Sequence, residues 1–220
     1  MLRNILIRSV ANSKRTVEAP MTLPKLMILG THNRKKCGEL RGLLEPLGIE
    51  LRSLAEVDRP LTVDETGSTF MENARLKAAV QAIHLGHWTI GEDSGLCVPA
   101  LGGAPGIYSA RYSDPNANDA KNNAKLLDDM GEFDGAQRAA YYVCTIALSD
   151  PSGRVCLEAE GRCWGRILRS LRGEGGFGYD PLFEIPEYHL TFAELGATVK
   201  SVLSHRARAL EKFTRALRRL

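Results

Sequence analysis

The chain has 220 residues, 44% of them hydrophobic and 25% charged, and its formal net charge is +3. A chain of this length and composition can bury a sizeable core, which excludes a mainly disordered protein. The basic residues are too scattered for a duplex nucleic-acid surface, and no apolar run approaches the ~20 residues of a membrane span. The five cysteines form no Cys-x-x-Cys pair. We therefore expect a protein of the reducing cytoplasm that binds neither nucleic acid nor membrane.

The first 24 residues differ in composition from the rest of the chain. Four basic residues accompany a single acid, and the apolar stretch at 5–7 is too short for a secretory signal. A leader of this kind is also compatible with a transit peptide. We expect residues 1–24 to be an extension that is disordered or not translated, with Met21 as the working initiator, and residues 25–220 to form the folded domain.

A strand, a polar loop and a helix are predicted at the start of this domain. Residues 25–30 form a short apolar run, a polar segment follows at 31–36, and leucines then recur at helical spacing. The loop therefore precedes a helix N-terminus, where free N–H groups and the positive end of the helix dipole attract phosphate. Asn33 and Lys36 add donors there, although a capping Asn33 beside solvated lysines fits the residues equally well.

A second strand is predicted at 49–54, and an acidic loop and a helix follow it. Asp64 and Glu65 lie in this loop, just before residues 69–72, which match a capping box that opens the helix. Asn73 and Lys77 are four residues apart, so they share a face of the helix and could point together at a ligand. A solvated helix face is the alternative interpretation.

A further acidic pair, Glu92 and Asp93, lies with Ser94 after the apolar stretch at 88–90. We expect these side chains where a buried strand opens into a loop, a common place for functional sites. A helix is predicted at 116–130. Strands at 140–148 and 154–164, joined by a turn at 149–153, predict a long hairpin that could form a second lobe.

The C-terminal third contributes a glycine-dense segment and a helix start. Phe177 and Tyr179 lie among the glycines of residues 173–181, where they could stack on a flat ring or fill a core. Lys200 precedes His205 and Arg206 at the start of the last predicted helix, which is a second end suited to anions. His205 alone would more often be a structural residue.

Two kinds of side chain recur in these segments, namely cationic and amide donors on the one hand and carboxylates on the other. A polyphosphate needs both, because Mg²⁺ binds one or two protein carboxylates together with substrate phosphates while lysines neutralise the remaining charge. The sequence lacks the Gly-x-x-x-x-Gly-Lys-Ser/Thr and Gly-x-Ser-x-Gly motifs, and no Gly-x-Gly-x-x-Gly follows the first predicted strand. We therefore predict a nucleoside triphosphate ligand and its hydrolysis, with a carboxylate that deprotonates water.

Six ordered motifs resemble those of a known family. They are Thr-x-Asn-x-x-Lys at 31–36, Glu-Thr-Gly-x-Thr-Phe-x-Glu-Asn-Ala-x-x-Lys-Ala at 65–78, Asp-Ser-Gly-Leu at 93–96, Leu-Gly-Gly-Ala-Pro-Gly-Ile-Tyr-Ser-Ala-Arg-Tyr at 101–112, Gly-Gly-Phe-Gly-Tyr-Asp-Pro at 175–181 and Ser-His-Arg at 204–206. From about residue 25 to the C-terminus, the chain resembles the inosine triphosphate pyrophosphatase family, also called the Ham1 or RdgB family.

The resemblance implies a fold, a reaction and an assembly. The fold is α/β, with an elongated mixed sheet and flanking helices in two lobes around a central nucleotide cleft. The implied reaction is the Mg²⁺-dependent hydrolysis of non-standard purine nucleoside triphosphates (ITP, dITP, XTP) to the monophosphate and pyrophosphate, which cleanses the nucleotide pool. The implied assembly is a homodimer.

The resemblance also assigns residues. Asp93 corresponds to the proton acceptor and a metal ligand, and either Asp64 or Glu65 is the other ligand. The positions that match substrate-binding residues are Thr31, His32, Asn33, Arg34, Lys35, Lys36, Lys77, Ser94, Phe177, Gly178, Tyr179, Asp180, Lys200, His205 and Arg206. Glu92 stands where the family commonly has Asp, which leaves its part in metal binding open.

Base preference has a physical interpretation, and two other functions fit the same residues. Inosine and xanthine carry an oxygen at C6, so a donor from His205 or Arg206 would bond to it and would face a donor in adenine. A site built on such a bond can reject the wrong base by ~10⁴-fold. The alternatives are a pyrophosphatase for modified pyrimidine nucleotides and a nucleotide-binding regulator without turnover.

Overall fold

The computed structural model describes residues 24–32, 34–44 and 48–219. Residues 1–23 of the expected N-terminal extension, including Met21, lie outside this part, as does Asn33. Within the described residues, seven strands form one mixed sheet in the order β2-β1-β3-β4-β5-β6-β7. They are β1 (Leu26–Leu29), β2 (Glu50–Ser53), β3 (Thr89–Cys97), β4 (Ala139–Ser149), β5 (Val155–Ile167), β6 (Phe183–Ile185) and β7 (Leu190–Thr191).

The α-helices of the described residues flank this sheet. They are α1 (Arg34–Leu44), α2 (Phe70–Leu85), α3 (Asp119–Met130), α4 (Phe192–Leu203) and α5 (His205–Leu217). β1 pairs in parallel with β2 and β3, whereas the remaining neighbours are antiparallel. The expected α/β fold with a mixed sheet is confirmed.

Buried side chains form two main hydrophobic clusters, one at each end of the sheet. The first joins β1 and the even-numbered face of β4 to α1 and α5, with Leu40, Ile146 and Phe213 among its members. The second joins β6 to α3 and α4, with Leu126 and Phe192 among its members. α2 covers the opposite face of the sheet, where its alanines pack on β4. The central strands β3 and β4 contribute to both main clusters, so their middle residues lie between the two ends of the core.

Local sequence signals explain where several elements begin. The capping box of α2 is confirmed, because the Thr69 hydroxyl accepts the Glu72 N–H (3.2 Å) and the Glu72 carboxylate accepts the Thr69 N–H (3.1 Å). The long hairpin is confirmed as β4 and β5. The helix predicted from residue 116 begins instead at Asp119, because the Asn118 side chain accepts the Lys121 N–H (2.9 Å) and caps the helix there.

β3 differs from the prediction in a way that matters for the site. The acidic pair was expected where a strand opens into a loop, but Glu92 and Asp93 lie inside β3, which continues to Cys97. β4 pairs with all nine residues of β3 and so keeps it extended. Among the described residues, β1 pairs with β3 only at Thr89 and Ile90. Beyond that point the sheet opens between β1 and β3, and the carboxylates lie at this opening.

Candidate active site

β3 delivers its polar side chains to opposite faces of the sheet, because successive residues of a strand alternate. Asp93 lies on the face covered by α2, while Glu92 and Ser94 lie on the face covered by α1 and α5. α2 sits unusually close to the strand at Gly91, where an added Cβ would overlap the Ala74 carbonyl oxygen. The close approach brings the side chains of α2 next to Asp93.

An ion-pair network surrounds Asp93. Lys77 Nζ lies 3.0 Å from Asp93 Oδ1 and 3.1 Å from Glu65 Oε1. On the other side, Asn73 Nδ2 donates to Asp93 Oδ2 at 3.3 Å. Asn73 and Lys77 therefore both point at Asp93, and the interpretation of this helix face as solvated is wrong. These side chains adjoin a cavity of about 290 Å³, whose wall includes Glu65, Lys77, Asp93 and Thr31.

The network favours Glu65 over Asp64 as the partner acid of Asp93. Glu65 lines the cavity and contacts Lys77, and its other oxygen lies 3.7 Å from Arg111 NH1. Asp64 is exposed and is not part of the cavity wall. Burial raises the pKa of Asp93, and the Lys77 ammonium only partly opposes this.

The donor set around this cavity fits a divalent cation that is shared with a substrate. Among the described residues, no group of three His, Cys, Asp or Glu side chains is close enough to enclose a metal. Mg²⁺ does not need one, since it is held by one or two carboxylates together with phosphates and water. Glu65 and Asp93 are such a pair. The Lys77 ammonium contacts both carboxylates, which shows that they lie close enough to share one positive group.

A second ionic cluster lies on the opposite face of β3. Glu92 is 1% exposed; its Oε2 lies 2.7 Å from Lys36 Nζ and its Oε1 3.2 Å from Arg206 NH2. Arg206 NH2 also donates to Ser94 Oγ at 3.1 Å. Burial favours the neutral acid, but Lys36 and Arg206 together hold the pKa of Glu92 well below its usual value.

A cavity of about 170 Å³ continues from this cluster. Its wall includes Phe177, Gly178, Asp180, Lys200 and His205. Lys200 Nζ lies 2.5 Å from Asp180 Oδ2 and 4.1 Å from the centroid of the Phe177 ring. The aromatic ring and the polar groups beside it suit a flat heterocycle with hydrogen-bonding edges.

Two aromatic side chains of this region have different roles. Phe177 is half-buried and faces the cavity, whereas Tyr179 is 3% exposed and donates through its hydroxyl to the Ser109 carbonyl at 2.8 Å. His205 stacks on Tyr142, with ring centroids 4.7 Å apart. Burial, followed by the nearby Arg206 and Lys200 charges, lowers the pKa of His205 well below its usual value, so the imidazole is neutral.

The structure brings together most of the residues that the sequence marked. Thr31, His32 and Lys77 line the first cavity, and Lys36 and Ser94 line both cavities. Arg34 and Lys35 belong to the start of α1, but their side chains lie outside the described part, and so does Asn33. Asp64 lies apart from the cavities.

Two residues of α3 escaped the sequence analysis. Asp119 Oδ2 accepts the Gly178 N–H at 2.8 Å, and Asn123 Nδ2 donates to the Gly178 carbonyl at 2.8 Å. Both sides of the Gly178 peptide are thereby held. An acid in the first turn of a helix is ordinary, so nothing in the sequence distinguished Asp119 from a residue that only stabilises the helix dipole.

The two cavities meet at Lys36 and Ser94, so they form one cleft. One end carries carboxylates and lysines, and the other carries an aromatic ring beside polar groups. An α/β protein with such a cleft belongs to the class that binds nucleoside polyphosphates.

Comparison with known proteins narrows this class. A sequence profile of the Ham1 family matches residues 27–216. A dITP/XTP pyrophosphatase of Rhodopirellula baltica is 50% identical over 194 residues, which cover 88% of this chain and 93% of the relative. The corresponding protein of Desulforamulus reducens is 47% identical, over 88% of this chain and 96% of its own. A solved HAM1 structure from Coxiella burnetii superimposes with a TM-score of 0.82 at 38% identity, over 89% of this chain and 99% of that one. The chain belongs to the Ham1 family.

Proposed function

We propose that the chain hydrolyses the non-standard purine nucleoside triphosphates ITP, dITP and XTP to the monophosphate and pyrophosphate. The observation that carries the proposal is the single cleft, in which Lys36 and Ser94 join a carboxylate–lysine cavity to a ring-sized cavity. The relatives at 50% and 47% identity are named dITP/XTP pyrophosphatases. The enzyme would remove such nucleotides from the cellular pool in the reducing cytoplasm.

The triphosphate is expected to lie in the cavity that contains Asp93. Water attacks the α-phosphorus, the bond to the bridging oxygen breaks, and pyrophosphate leaves. Asp93 takes the proton of the attacking water, because it is the buried carboxylate on which the contacts of this cavity converge. Lys36 and Lys77 neutralise phosphate charge, and the N-terminus of α1, which begins at Arg34, adds backbone donors.

We propose that Glu65 and Asp93 bind Mg²⁺ together with the substrate phosphates. The bound ion would neutralise phosphate charge and lower the pKa of a coordinated water. Lys77 lies between these two carboxylates and is expected to turn toward a phosphate when they bind the ion.

The base is expected to stack on Phe177 in the second cavity. His205 or Arg206 would donate a hydrogen bond to the oxygen at C6 of hypoxanthine or xanthine, while the Asp180–Lys200 pair lies at the same cavity. The 6-amino group of adenine would place a donor against a donor. If an Arg206→Ala variant keeps full discrimination of ITP over ATP, Arg206 is not the residue that reads the base.

A substrate panel with Mg²⁺ tests the proposal. Pyrophosphate release is measured for ITP, dITP, XTP, ATP, GTP, UTP, dTTP and 5-methyl-UTP. We expect the three non-standard purines to be cleaved most efficiently. Preference for modified pyrimidines would instead support the pyrimidine pyrophosphatase, and tight nucleotide binding without pyrophosphate release would support the regulator.

We also propose that the protein is a homodimer, with residues 101–112 at or near the contact. This segment borders a cavity of about 670 Å³, beside a face of β5 on which Arg162 and Trp164 are exposed. As for other partners, no described helix has both the length and the hydropathy needed to cross a membrane.

A further inference from the structure

We propose that Glu92 is a positioning residue that couples the phosphate-binding and base-binding ends of the cleft. It does so by holding the side chains of Lys36 and Arg206 in fixed positions relative to each other. The inference rests on the proposed function, since it assigns a task within the same site. It concerns a residue that does not itself reach the substrate, because Glu92 lines neither cavity.

Three structural elements converge on the Glu92 carboxylate. Lys36 of α1 contacts one oxygen at 2.7 Å, and Arg206 of α5 contacts the other at 3.2 Å. Cys144 of β4 donates through its thiol to the same oxygen as Arg206, at 3.3 Å. Cys144 pairs across the strands with Ser94, two residues from Glu92. The contact between Cys144 and Glu92 is therefore a diagonal one between neighbouring strands, on the same face of the sheet.

The two cations have separate tasks but lie close to the same buried carboxylate. Lys36 lines both cavities, and Arg206 lines the base cavity and donates to Ser94. Two positive groups that contact the same carboxylate repel each other, and the repulsion is stronger in a site that excludes water. A buried carboxylate between them offsets the repulsion and fixes both donors in place, because the loss of a buried partner leaves the remaining charges uncompensated.

The position of Glu92 distinguishes this role from metal binding. Glu92 and Asp93 are adjacent, but the alternation of β3 places Glu92 on the α5 face and Asp93 on the α2 face. Both oxygens of Glu92 contact cationic side chains rather than the cavity that contains Glu65 and Asp93. Glu92 therefore acts on the substrate through Lys36 and Arg206.

Glu92→Gln tests the coupling, since it removes the charge and nearly preserves the shape. We expect kcat/KM for dITP to fall by about 10- to 100-fold, the range produced when reacting groups are misplaced by up to an ångström. Two competitive probes separate the ends of the cleft. Inorganic tripolyphosphate reports on the phosphate end and inosine on the base end, and both inhibition constants should rise. Glu92→Asp, which keeps the charge, should recover part of each loss.

Glu184→Gln is the matched control. Glu184 is also buried and lies near two arginines, Arg166 and Arg172, but it belongs to β6 and lines neither cavity. We expect this variant to lose thermal stability while kcat/KM and both inhibition constants stay at the wild-type values. A general effect of a lost buried charge would instead change both variants alike.

The outcomes separate the two proposals. Wild-type protein that releases no pyrophosphate from dITP overturns the proposed function. Active wild-type protein together with a Glu92→Gln variant whose probe affinities are unchanged overturns the role of Glu92, and so does weakening of only one probe. If Glu92→Gln yields no folded protein, Glu92→Asp decides, because its shorter side chain draws the carboxylate away from Lys36 and Arg206, and unchanged affinities would contradict the coupling.

Discussion

Asp93 is the residue on which the contacts of the phosphate cavity converge, and it gives the most direct prediction. Asp93→Asn keeps the size of the side chain and a hydrogen-bond acceptor for Lys77 but removes the base. We expect kcat for dITP to fall by about 10²- to 10⁴-fold, the usual contribution of a general base. Pyrophosphate release measures the loss, and far-UV circular dichroism should show an unchanged fold. A variant with near wild-type kcat would remove Asp93 from the mechanism.

His205 predicts a pH dependence of stability. The fold holds its pKa well below the usual value, so the folded state keeps the imidazole neutral while the unfolded state protonates near pH ~6.5. Its contribution is therefore complete above that pH and is lost as the pH falls. Below it, each pH unit should cost about 1.4 kcal/mol of unfolding free energy.

A His205→Gln variant isolates this effect. The other histidines, His32, His84, His87 and His189, are exposed. Denaturant unfolding between pH 7.5 and 5.5 should give a steeper loss of stability for the wild type than for the variant. Equal slopes would mean that His205 takes up a proton in the folded protein as readily as in the unfolded one.

At the scale of elements, α3 controls the glycine-rich segment that forms the base cavity. Asp119 and Asn123 hold the Gly178 peptide from both sides, next to Phe177. Asn123→Ala removes one of these contacts without touching the phosphate cavity. We expect KM for ITP to rise by about 10-fold with little change in kcat, because a lost buried hydrogen bond costs about 1–3 kcal/mol and the reacting atoms are held elsewhere.

Steady-state kinetics with ITP measures this split between KM and kcat. Asp128→Asn is the control, because it is an exposed position on the same helix. A fall in kcat at unchanged KM would place the effect of α3 at the reacting end of the cleft and contradict the prediction.

Elements whose causes are local in the sequence were predictable, whereas contacts between distant elements were not. The capping box of α2, the β4–β5 hairpin and the start of α5 at His205 all follow from neighbouring residues. The extent of β3 did not, because the partner strand β4 keeps it extended through two acids and a serine. Propensity disfavours acids in strands, and tertiary pairing overrides it here.

The same distinction holds for the site. Motifs marked Asp93, Lys36 and Lys77, but which side chains touch depends on packing. Arg206 meets Glu92 across 114 positions of sequence, and no spacing rule predicts such a pair. The contact between Glu65 and Lys77 likewise depends on how the acidic loop packs against α2.

On the scale of the whole molecule, the cleft follows from how the sheet is divided. The parallel pairing of β1 with β3 stops at Ile90, while β3 continues along β4 toward the second hydrophobic cluster. Side chains from both faces of β3 therefore reach one opening, Asp93 from one face and Ser94 from the other. A longer β1, paired beside Asp93 and Ser94 as well, would have closed this opening.

An exposed aromatic surface on β5 and at Tyr108 predicts the assembly. Tyr141 and Val143 of β4 pair across the strands with Trp164 and Arg162 of β5, and this face adjoins Tyr108. Trp164 and Tyr108 are 55% and 56% exposed. Large aromatic side chains with an arginine, grouped on one surface, are typical of the core of a protein–protein interface.

We expect Trp164→Glu to convert a dimer into a monomer, because a second copy would have to bury the new charge without a partner. Light scattering coupled to gel filtration measures the mass, and Val202→Glu is the control, since Val202 is 71% exposed on α4, away from this face. Ile107 lines both the 670 Å³ cavity at the proposed dimer contact and the cavity that contains Asp93. Loss of the dimer should therefore disturb the second cavity and also lower kcat/KM. A wild-type protein that is monomeric at assay concentrations, or a Trp164→Glu dimer, would contradict this assembly.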